Sequence, residues 1–192
     1  MSTMEPDQDL VNEFVGAAHG DFARVQELLT AHPGLLHGNA VWTETAIEAA
    51  AQMGRRDIAE YLLAAGAPLD LCTAAVLGRA GTVAAMLAAD PGQAQATGAH
   101  GIPALYFPAI AGRPDIAAQL HAAGAAVNAG AGGTTPLHGA ALFGQTEMAA
   151  WLLDHGAAID AVNYEGQTPR DVALAQGHAA VADLLAARGG AG

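Results

Sequence analysis

At 192 residues and 52% apolar, the chain is long enough to bury a core and too apolar to be wholly disordered; with only 5% aromatics, that core falls to Ala, Leu, Ile and Val. A formal charge of −12, with seven basic residues that are all Arg and form no basic run, disfavours nucleic acid and anionic membrane as partners. Every stretch of roughly 18 residues is interrupted by Gly, Pro or charge, so no membrane span is expected.

Residues 1–9, with Glu5, Asp7 and Asp9, read as an acidic disordered stub that has neither the charge nor the apolar run of a signal peptide. The first helical unit follows at 10–38, where Val25, Leu28 and Leu29 make the one-sided stripe of a short helix behind Gly20 and Pro33 stops it. The second, at 43–69, opens on Thr45 as an N-cap hydroxyl, continues past Gly54 with Ile58, Tyr61 and Leu62, and stops at Gly66. The third, at 71–91, carries Gly78, Val83, Met86 and Leu87 in too few residues for a full unit. It is predicted to keep two short helices and to lose its connecting loop.

In the fourth unit, 101–124, Pro108 has no N–H to reach the carbonyl of Ala104, so its first helix must start late or kink. The kink is either silent or opens a notch lined by Tyr106, Phe107 and His100. The fifth, 133–156, begins Thr135-Pro136, passes Gly144 and continues with Met148, Trp151 and Leu152 to Gly156. The sixth, 166–188, repeats this with Thr168-Pro169, Gly177, Val181, Leu184 and Leu185, and residues 189–192 form a flexible Gly-rich end. Aligned on Gly20, Gly54, Gly78, Gly112, Gly144 and Gly177, the units advance by 34, 24, 34, 32 and 33 residues. Such a period means stacked hairpins that cannot bury their apolar faces alone.

The chain resembles the ankyrin-repeat family in Thr135-Pro-Leu-His138-Gly-Ala-Ala141, Gly144, Leu152-Leu153-Asp-His-Gly-Ala157 and Gly166-Gln-Thr-Pro169, and the likeness extends over about 10–188. The resemblance implies an all-α, right-handed solenoid of about six helix-turn-helix units with short finger loops and a gap at the truncated third. It also implies a partner held by finger tips and by the exposed side of the inner helices. Carried over position by position, that selects Trp42, Glu44, Met53, His100, Tyr106, Phe107, Ile110, Leu142, Phe143, Tyr164, Glu165 and Asp171. For Leu142, Phe143, Ile110 and Leu77 the competing reading is inward packing between neighbouring helices.

Catalysis finds little support. There is no Lys, and the single Ser, Ser2, sits in the stub, so a phosphate-loop lysine, a Schiff base and a buried Ser nucleophile are all ruled out. Gly130-Ala-Gly-Gly133 follows no strand and reads as a loop, and Cys72 as a buried structural thiol. The eight histidines lack metal-ligand spacing, and His138 is assigned to stitching neighbouring loops. No catalytic residue, metal or cofactor is expected. The expectation is a monomeric, cytoplasmic, non-catalytic module that binds another protein through a basic or apolar segment. The alternative is a small-molecule enzyme of isomerase or cyclase type drawing on Glu48, Tyr106, His138, Arg170 and Asp171 in an apolar groove.

Overall fold

A computed structural model describes residues 7–130 and 132–189. The expected stub therefore lies largely outside the described residues, as do Ala131 and residues 190–192. Within them the chain forms twelve α-helices paired into hairpins: α1 (Gln8–Ala18) with α2 (Phe22–Ala31), α3 (Ala46–Gln52) with α4 (Arg56–Ala64), α5 (Leu71–Val76) with α6 (Ala80–Ala89), α7 (Tyr106–Ile110) with α8 (Pro114–Ala122), α9 (Pro136–Leu142) with α10 (Thr146–Asp154), and α11 (Pro169–Ala175) with α12 (Ala179–Gly189). Asp7 caps α1 through its side chain, so helix begins two residues inside the expected stub, and α12 runs through Gly189.

The odd-numbered helices pack in chain order as an inner layer, and the even-numbered helices back them. Small side chains make the inner layer possible: Ala46, Ala49, Ala50, Ala74, Ala75, Ala109, Ala140, Ala141 and Ala173 are all buried. Between the layers Phe14, Ile58, Leu62, Ile116, Leu120, Met148, Leu152 and Leu185 are fully enclosed. Ile58, Leu62, Met148, Leu152 and Leu185 are residues of the predicted apolar stripes.

The helix starts follow local chemistry. Thr45, Thr135 and Thr168 each form a capping box, with Glu48, His138 and Asp171 at the third position of the helix reaching back to the cap. The shared glycines Gly54, Gly78, Gly112, Gly144 and Gly177 all adopt left-handed φ, between 63° and 76°. Gly20 is the exception: the next N–H, of Asp21, closes on Ala17 O four residues back, whereas after the other five it reaches five back, as from Arg55 to Ala50 O. Helix α7 starts late and does not kink. Pro108 falls in its first turn, where no intrahelical acceptor is lost.

Two isolated bridges, Asn39 with Thr45 and Thr97 with Pro103, mark the necks of finger loops. The link from α4 to α5 is six residues, 65–70, against fourteen between α2 and α3. No room remains there for a finger. The turn at Ala99–Gly101, from the fourth unit, packs against α3 instead.

Candidate functional site

The residues selected from the sequence separate into three groups. Tyr106, Phe107 and Ile110 belong to the core, Phe107 with 1% of its surface exposed, so none of them offers a contact surface. Of the two readings of Pro108, the notch is filled. A Cβ on Gly98 would lie 2.5 Å from the Phe107 ring and one on Gly139 2.6 Å from the Tyr106 ring, so both rings occupy slots that glycine leaves vacant. Burial also drives the Tyr106 hydroxyl up to about 12. Phe143 is half-buried and folds across the inner face, its ring within 3.2 Å of where a Cβ on Gly54 would stand.

A second group belongs to the finger and inner helix of the second unit, with His100 from the fourth. Trp42 is 38% exposed and Met53 44%. Glu44, expected to attract charge from the surface, is instead completely buried. Its Oε2 accepts a 2.8 Å hydrogen bond from the Trp42 indole N–H, with His19 Nε2 at 3.4 Å and His100 Nε2 at 3.6 Å. The missing third finger accounts for this arrangement, since it lets the fourth unit's turn bring His100 beside a residue 56 positions earlier. His19 escaped selection. It stands immediately before the shared glycine, the register of Met53, Leu77, Phe143 and Gln176, and that register is the signal that would have found it.

The third group is on the last two units. Tyr164, 75% exposed, is anchored by a 2.8 Å hydrogen bond between its hydroxyl and Thr134 Oγ1. With Glu165, Leu142, His138, Asn163 and Gln176 it lines a pocket of about 250 Å³. Asp171 is exposed, and the Thr168 hydroxyl and backbone N–H it accepts from hold its carboxyl below the ordinary range. His138 uses Nδ1 toward Thr135 Oγ1 at 2.8 Å and donates from Nε2 to Gln167 O at 3.0 Å, tying α9 to the next finger.

Of the acid and base groups available to a groove enzyme, Glu48, His138 and Asp171 are committed to caps and Tyr106 is enclosed. The described residues contain no group of three or more His, Cys, Asp or Glu arranged to hold a metal ion. No described helix is long and apolar enough to cross a membrane. Burial raises the Cys72 thiol well above its usual range.

Stacked helical hairpins with capped inner helices and stitched fingers define the ankyrin-repeat class, and family models agree. Ankyrin repeats in three copies match residues 104–191 and a further ankyrin repeat matches 44–74. The chain belongs to the ankyrin-repeat family, whose repeats are generally protein–protein interaction modules. No curated protein matches it.

Proposed function

We propose that this chain is a non-catalytic binding module that holds a protein partner along its fingers and inner face. Two patches carry the contact: Trp42 with Met53 at one end, and Tyr164 with Leu142, Glu165 and Asp171 at the other. The observation that supports this best is that Trp42 and Tyr164 are exposed and yet each is held in place by a hydrogen bond, through its indole N–H and its hydroxyl. Exposed aromatics of fixed orientation bind with little further loss of side-chain freedom, which is why such residues dominate interface energetics. Glu165, Asp171 and a net charge of −12 favour a basic segment in the partner.

The test is capture of a stoichiometric partner from host extract by the intact chain, by a Trp42→Ala/Tyr164→Ala variant, and by an Asp183→Ala variant altered on the back of α12. Helical content should be the same in all three. Capture should fall at least tenfold in the first variant and persist in the second; equal capture by all three would refute the assigned face.

A further inference from the structure

Glu44 poses a problem that the fold alone does not solve. Its side chain is fully enclosed; Oε2 has the Trp42 N–H, but Oε1 has no hydrogen-bond partner among the described residues. A second acceptor nearby, Gln52 Oε1, is also buried and without a partner. The two are joined through His19, whose Nε2 is 2.9 Å from Gln52 Nε2 and 3.4 Å from Glu44 Oε2, while its Nδ1 is 3.3 Å from Gly16 O. None of these contacts reaches Glu44 Oε1 or Gln52 Oε1. Arg55, which reaches the same end of the first unit, is committed to Gly20 O and to both oxygens of Asp57.

Both imidazoles near this carboxylate, His19 and His100, face Oε2, which leaves Oε1 unpaired, and each orphaned buried acceptor asks for an explanation. The loop over this one is also strained. Thr43 has φ 64° at the turn position that Gly101 and Gly166 occupy in other fingers, and His100 has φ 57°. A β-branched residue in the left-handed region persists only where its surroundings impose it, and such strain collects at ligand clamps and switches.

We infer that Glu44 is the seat of a guanidinium: an arginine side chain of the partner pairs with the unpartnered Oε1, reaches the Gln52 amide oxygen and lies against the face of the Trp42 indole, whose N–H stays on Oε2. Two orphaned acceptors on different side chains suit the planar fork of arginine better than the point charge of lysine, and the adjoining indole offers it a stacking surface. The arrangement gives no three-ligand metal geometry. The net charge of −12 draws a cation toward the face. This inference rests on the partner-binding reading of that face and names what the partner presents there.

The experiment follows the Trp42 indole N–H resonance of the intact chain during titration with acetyl-Gly-Arg-Gly-amide, and in parallel the emission of a Trp151→Phe variant in which Trp42 is the only indole. Saturable changes in both are expected, weakened at least tenfold when Lys replaces Arg in the peptide and at least tenfold in Glu44→Gln, whose neutral amide keeps the shape of the side chain. No saturable change in the intact chain, equal response to the two peptides, or an undiminished response in a folded Glu44→Gln would overturn the inference. So would a shift produced by stoichiometric zinc but not by the arginine peptide. A flat arginine titration alongside loss of partner capture in Trp42→Ala/Tyr164→Ala would reject the guanidinium seat and leave the broader reading standing.

Discussion

Single side chains decide where this protein is rigid and where it is available. Gly139 stands in the middle of α9, where alanine is ordinarily favoured by about 1 kcal/mol. Here a Cβ would meet the Tyr106 ring at 2.6 Å and Ile110 Cγ2 at 3.0 Å, both enclosed side chains that cannot retreat. Gly139→Ala should therefore destabilise by about 1–3 kcal/mol, measured by denaturant unfolding, with the steric cost outweighing the propensity gain. His138 sets a pH dependence. Burial holds it below the ordinary histidine value, so the unfolded chain takes up the proton first as pH falls. Its contribution is complete above about pH 6.5 and is lost as acidification proceeds toward the lower folded value. His138→Gln, which can still cap, should flatten the stability profile as pH falls below about 6.5, as read by thermal melts across buffers.

Elements are joined by a recurring device that the repeat spacing only hints at. The residue after the shared glycine reaches back one unit to a backbone carbonyl: Arg55 to Gly20, Arg113 to Gly78 at 2.8 Å, Gln145 to Ile110 at 3.0 Å and His178 to Leu142 at 3.1 Å. Each supplies a donor to a carbonyl freed where an inner helix ends. Arg113→Ala should cost about 1 kcal/mol, whereas Arg188→Ala, which breaks only an exposed pair with Asp154, should lie within about 0.5 kcal/mol of the parent; urea titration distinguishes the two. The caps at Thr45, Thr135 and Thr168 were legible because an N-cap needs only a hydroxyl and its third neighbour. That Pro108 disturbs α7, by a late start or a kink, was legible for a similar reason, since a proline's missing N–H is a local fact. The inward turn of Tyr106, Phe107 and Ile110 was not, because it depends on vacancies at Gly98 and Gly139 in other segments.

For the whole molecule, stability comes from units covering one another, and the end units have a neighbour on one side only. Amide hydrogen exchange should be slowest in α3, α7 and α9 and fastest in α1, α2 and α12; uniform protection would indicate a single cooperative globule. What the sequence determined by itself was whatever repeats at short range: the number of hairpins, their caps, their apolar stripes, the shortened third unit and the family. Tertiary structure alone decided which selected residues face solvent. It drew Tyr164 over Thr134 of the preceding finger, and it enclosed Glu44 between Trp42, His19 and His100 because a deletion in one unit changes which loops become neighbours two units apart. Periodicity encodes the stacking of like on like; it does not encode how a chain closes over a missing piece.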